Sequence, residues 1–164
     1  CSGALPIGSY IAPRLALDLK DSCRGRHIGM VFQQFHPVGA LTIVQILMLA
    51  PSMAGLPADA YRARSLRGAL GIAEKENAYP DKLYQGQRRC VAIARALMNK
   101  PPPLIADEPT SVLDYSTAEA MADLLVDVAD RVGVALVVST HDARIAHRFG
   151  HRLALTLVST EASL

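Results

Sequence analysis

A chain of 164 residues, 51% of them hydrophobic, is long enough for one domain with a real core; with 5% aromatics and no Trp, that core is built of Leu, Val, Ile and Ala. The net charge of +2 is too small to argue for nucleic acid or an anionic membrane surface, and no nucleic-acid partner is expected. Three cysteines, Cys1, Cys23 and Cys90, are odd in number and widely spaced, which fits a reducing compartment better than a disulfide framework.

The chain opens on Cys1 rather than Met, so it is expected to be processed or a fragment. Cys1-Ser2-Gly3 would suit a lipoprotein, but nothing else in the sequence points to export. Residues 1–35 read as short strands, Ala4-Leu5-Pro6-Ile7 and then Ile28-Gly29-Met30-Val31-Phe32, ending at Gln33-Gln34. From Pro37 to Ala58 no residue is charged. A membrane-spanning helix wants about 20 continuous apolar residues. Pro37, Pro51 and Pro57 leave only Val38 to Ala50 unbroken, the length of a buried or interface helix. Pro57 suits the first turn of the next helix, in which Leu66, Ala69 and Leu70 share a face and Gly71 is the stop. Val91, Ala94, Leu97 and Met98 mark another apolar stripe, ended by Pro101-Pro102-Pro103.

A strand–helix–strand section follows. Leu104-Ile105-Ala106 runs into Asp107-Glu108-Pro109-Thr110, and Val134 to Val138 runs into Ser139-Thr140-His141-Asp142. Between them, Asp114 or Ser116 caps a helix with Met121, Leu124, Leu125, Val128 and Val132 inward. Glu119, Asp123, Asp127 and Asp130 form its outer face, read as solvated. Arg152 to Val158 reads as a last strand.

In open parallel α/β sheets, ligands sit beyond the carboxyl ends of the strands. Two buried strands that deliver an acid pair and a His to one edge make half of a phosphoryl-transfer site. Asp107-Glu108 is the Walker B arrangement: the first carboxylate holds Mg²⁺, largely through water, and the second polarises the attacking water. The other half, a G-x-x-x-x-G-K-[ST] phosphate cradle, does not occur in these residues; Gly3 and Gly8 have the separation, but Ser9-Tyr10 follow. The spacing His141, His147, His151 lacks the carboxylate or Cys pattern of a metal site; Arg88 and Arg89 could steer phosphate, but solvated helix arginines are the commoner case.

Leu83-Tyr84-Gln85-Gly86-Gln87-Arg88-Arg89-Cys90-Val91-Ala92-Ile93-Ala94-Arg95-Ala96-Leu97 resembles the signature segment of ATP-binding-cassette ATPases and leads straight into Asp107-Glu108-Pro109-Thr110. Ser111-Val112-Leu113-Asp114 resembles the family's D-loop, Ser139-Thr140-His141-Asp142 its switch-histidine segment, and Val31-Phe32-Gln33-Gln34-Phe35-His36 its Q-loop. The likeness runs from about Gly3 to Leu157. The resemblance implies an α/β fold: a P-loop NTPase-like, mostly parallel sheet with flanking helices and a helical signature subdomain, N-terminally truncated. Residues 1–36 and 99–164 would be the core sheet part and 37–98 the helical subdomain.

It also implies roles. Asp107 binds the metal, Glu108 is the catalytic base, His141 contacts the γ-phosphate, and Gln33 reaches the metal and the attacking water. Gly86 and Gln87, at a helix start, would present N–H groups to a nucleotide on a second ATPase subunit, and Asp114 would organise that contact. ATP and Mg²⁺ are the implied cofactors, a transmembrane permease and a second ATPase subunit in a head-to-tail dimer the implied partners, and the cytoplasmic face of the membrane the implied place. The segments around His36, Ala54 to Pro57 and Thr140 to Arg144 look most like the bacterial lipoprotein-release and macrolide-export subgroup.

The sequence departs from the family in two further places. Tyr84-Gln85-Gly86 stands for Ser-Gly-Gly, which removes a hydroxyl donor and puts a Cβ where a phosphate must approach, and Cys90 stands where Arg is usual. Gln45-Ile46 replaces the usual Glu-Asn. The expected activity is ATP hydrolysis coupled to transport, with this chain alone not competent for want of the cradle. The alternative is a non-hydrolytic or decayed module that pairs with an intact ATPase subunit.

Overall fold

Three parallel strands, β1 (Gly29–Val31), β2 (Pro103–Asp107) and β3 (Ala135–Ser139), make the sheet in the order β1-β2-β3. The structure is a computed structural model that describes residues 24–33, 39–111 and 113–154. The register sets Gly29 beside Leu104, Val31 beside Ala106, and Asp107 beside Ser139. Side chains alternate between faces along a strand, so buried Val31, Leu104 and Ala106 share one face. Gly29 is required by packing: a Cβ there would stand 2.7 Å from the Ala96 carbonyl oxygen and 2.8 Å from the Pro101 ring. Phe32 and Gln33 lie just past β1, both exposed.

The helices are α1 (Ile43–Met53), α2 (Ala60–Ala69), α3 (Gln85–Leu97), α4 (Tyr115–Val132) and α5 (Ala143–Ala146), with 3-10 turns at Ala73–Lys75 and Pro80–Lys82. Thr42 and Gln45 form a capping box at α1: the Gln45 amide donates to Thr42 Oγ1 at 3.5 Å and the Thr42 amide to Gln45 Oε1 at 2.9 Å. Contrary to the sequence reading, Pro51 does not end this helix; it sits buried in the last turn. Proline removes one donor of the ladder, and the carbonyls of the last turn, which the end of the helix leaves open, find other partners. Ala50 O accepts from the Ala54 amide and from Asn99 Nδ2, and Pro51 O from the Leu56 amide. Pro57 likewise precedes α2 instead of opening it. Asp59 wins the start by accepting from the Arg62 amide at 2.8 Å. The stop at Gly71 holds, with φ +66°. Among the described residues no helix is long and apolar enough to cross a membrane.

Val91, Ile93, Ala94 and Leu97 of α3 form one cluster with Ile43, Ile46 and Leu47 of α1, Leu66 of α2, the inner sheet face, and Met121, Leu125 and Val128 of α4. That layer fixes the strand ends relative to the first turn of α3. The outer face of α4 is not purely solvated: Arg148 pairs with Glu119 at 3.2 Å and Asp123 at 3.0 Å, and so anchors the chain after α5. Residues 152–154 form no strand, while 155–158 and the anticipated strand at 4–7 lie outside the described residues.

Candidate active site

The parallel pairing of β2 and β3 brings their carboxyl ends side by side. Ser139 Oγ donates to Asp107 Oδ1 at 2.8 Å. One residue further on, the Glu108 amide donates to Ser139 O at 2.9 Å, and Glu108 takes φ +47°. A left-handed glutamate persists only when its surroundings over-determine it. Here the Ser111 amide and Ser111 Oγ donate to Glu108 O at 3.2 and 2.9 Å, and Arg89 Nη1 donates to Pro109 O at 3.2 Å.

This turn aims the Glu108 carboxylate at the segment after β3. Its Oε1 lies 2.7 Å from His141 Nδ1 and accepts from the His141 amide at 3.1 Å, while Thr140 Oγ1 reaches Oε2 at 3.5 Å. The hydrogen bond and the charge of Glu108 raise the His141 pKa above its ordinary value. The imidazole is largely exposed, at 82%, against 23% for the Glu108 side chain. Gln33, Glu108, Ser111, His141, Asp142, Ala143 and Arg144 line one cleft of about 540 Å³. Of the residues singled out in the sequence, Gln33, Glu108 and His141 therefore meet, with Asp107 beside them on the strand end.

The others lie elsewhere. Gln87 Oε1 accepts from the Tyr84 amide at 3.1 Å, capping α3, and nothing lies within 4 Å of where a Gly86 Cβ would be. Asp114 is the cap of α4: it accepts from the Thr117 amide, Thr117 Oγ1 and Ser116 Oγ, in the order that holds its carboxyl down at about 2. Arg144 was not read from sequence, and Arg88 and Arg89, read there as solvated, are instead tied to backbone carbonyls. Arg144 forks onto Asp142 and reaches Leu113 O at 3.4 Å. Arg88 Nε donates to Pro80 O and Leu83 O, and Arg89 serves the Pro109 turn. The signal for Arg89 was present: Ala92 and Ile93, three and four residues on, are buried, so Arg89 tops an inward stripe.

The donor set suits Mg²⁺ with nucleotide. Among the described residues no three His, Cys, Asp or Glu side chains gather into a protein cage. Mg²⁺ asks for less: one or two carboxylates, phosphate oxygens and retained water. Asp107 has one oxygen bound to Ser139 and stands exposed at the strand end.

A parallel sheet with helices, its functional edge at the strand ends, defines the class of α/β P-loop NTPase folds, and solved structures agree. The cassette MJ0796, in a dimeric post-hydrolysis state bound to ADP and Pi, matches with a TM-score of 0.66 and 35% identity over 80% of this chain and 60% of that one. The sequence profile of the ABC transporter family matches residues 14–111. The methionine import ATP-binding proteins MetN of Halalkalibacterium halodurans and Geobacillus kaustophilus are each 37% identical, over 78% and 79% of this chain and 38% and 39% of theirs. The chain thus spans about two fifths of the length of these curated relatives. It belongs to the ABC transporter family.

Proposed function

We propose that the chain carries the water-activating half of an ATPase site whose hydrolysis drives a membrane transporter. The observation that carries this reading is the Glu108–His141 contact of 2.7 Å on a cleft shared with Gln33. Glu108 takes the proton of the attacking water, and His141, held by its Nδ1 and amide on Glu108, turns its free ring edge to the γ-phosphate. Gln33 and Asp107 would hold the metal and the attacking water beside them. Bound Mg²⁺ would neutralise charge on the phosphate oxygens.

Gly86 and Gln87 open the 13-residue helix α3, and its N-terminal N–H groups suit the phosphate of a nucleotide on a second ATPase subunit, with Asp114 at that contact. The uncharged stretch 37–58 would meet a transmembrane permease at the cytoplasmic face of the membrane. We read 1–36 and 99–164 as the core and 37–98 as the helical part. The likeness of Ala54 to Pro57 and Thr140 to Arg144 favours a lipoprotein-release or macrolide-export substrate, whereas the names of relatives 35–38% identical favour methionine import; the import class has the broader support.

With no G-x-x-x-x-G-K-[ST] segment among its residues, the 164-residue chain alone should not bind ATP·Mg²⁺ at micromolar concentration; calorimetry showing such binding would sink that part. Joined to a cradle-bearing segment from a methionine-import relative, it should hydrolyse ATP. Glu108→Gln should then lower turnover by about a hundredfold or more while ATP still binds. Unchanged turnover would remove Glu108 from its role.

A further inference from the structure

The Glu108 turn has three successive carbonyls, and each has a different donor. Glu108 O is held by Ser111, Thr110 O by the Leu113 amide, and Pro109 O by Arg89 of α3. The first two bonds are local, within the turn itself. The third comes from 20 residues away, on a helix whose N-terminal cap is set by Gln87 and whose first turn is otherwise open at Gly86. Arg89 is half-buried, its guanidinium pulled down from its ordinary pKa by burial alone, and Pro109 O is its hydrogen-bond acceptor among the described residues.

We propose that Arg89 is a positioning residue that couples the first turn of α3 to the Glu108 turn, so that a shift of the exposed end of α3 is felt at the carboxylate. A left-handed residue is metastable without external restraint, and a charged donor onto a carbonyl is among the stronger single hydrogen bonds. The restraint acts one helical turn below Gly86 and Gln87, which gives the two faces a rigid link of about one turn of α3. This inference rests on reading Glu108 as the hydrolytic base, but its test does not involve nucleotide.

The test is amide hydrogen exchange, read by NMR, on the full chain without nucleotide. Arg89→Met keeps the stem and loses the donors; the Ser111 and Leu113 amides should exchange roughly tenfold faster, with Leu136 and Val138 of β3 unchanged. Arg89→Lys, which keeps one donor, should recover part of that protection. Gln87→Ala, which loosens the α3 cap, should speed Ser111 exchange when Arg89 is present and add nothing in the Arg89→Met background. Equal acceleration of all amides in Arg89→Met, unchanged exchange at Ser111, or no effect of Gln87→Ala with Arg89 present would each overturn the coupling. Should Arg89→Met fail to fold, Arg89→Gln takes its place under the same criteria. Unchanged turnover of Glu108→Gln in the cradle-joined chain would undo the functional reading and leave these outcomes intact.

Discussion

Glu108 combines an unfavourable backbone with a short contact to a titrating ring, and the two are linked: only the left-handed turn points its carboxylate at the His141 amide and Nδ1. The folded pKa of His141 is raised, chiefly by the hydrogen bond and then by the charge of Glu108. A raised folded pKa means that the contact's contribution to stability is full below the unfolded value near 6.5 and is lost as pH rises through the folded value. Glu108→Gln should bring the His141 pKa down, because what then remains is desolvation, which lowers it, and the smaller raising effect of Asp142. An NMR titration of the imidazole Cε1–H checks this; the same pKa in wild type and variant would mean that the contact does not hold in solution. Glu108 and His141 were legible because each ends an apolar run long enough to be a strand. The φ of Glu108 was not, since turn geometry leaves no periodic mark in the sequence; Arg89 stood on a readable inward stripe, but the Pro109 carbonyl it reaches, 20 residues on, was not readable.

Elements show the same division. Apolar periodicity located α3 and α4 and their inward residues, and Gly71 and Gly133, at φ +66° and +72°, ended α2 and α4 as their conformational freedom allows. The two prolines misled because other groups set the helix ends: Asn99 and the Leu56 amide satisfy the last-turn carbonyls of α1, and Asp59 sets the start of α2. Asp114 illustrates one side chain with two candidate jobs. As the cap of an 18-residue helix it gives up its charge only near pH 2, so its stabilising contribution is present above the unfolded value of 3.8 and is lost as pH falls through about 2. Asn caps as well as Asp. Asp114→Asn should therefore keep the thermal midpoint near wild type, and Asp114→Ala should lower it, by circular dichroism at pH 7. Equal losses in both variants would show that charge, and not the cap, stabilises this corner.

At the scale of the molecule, the parallel sheet and its helices were legible from alternation of strand and helix patterns, because a βαβ unit constrains its neighbours so strongly. Less legible was how unevenly the described residues cover the sheet. α3 and α4 bury one face, through Leu104, Ala106 and the inner side of β3. Along β3, Ala135, Val137 and Ser139 are exposed, Val137 at 52%, and among the described residues β3 pairs with β2 alone. Parallel sheets are ordinarily covered on both faces, and an apolar strand with a free edge invites pairing with another chain. The 164-residue chain should therefore self-associate as its concentration is raised. Val137→Lys, which places a charge on the open face, should lower its weight-average mass in sedimentation velocity without lowering its thermal midpoint. A monomeric wild type, together with a Val137→Lys variant destabilised by several degrees, would mean instead that this face is buried in solution, because a lysine is tolerated on an open strand and costly on a covered one.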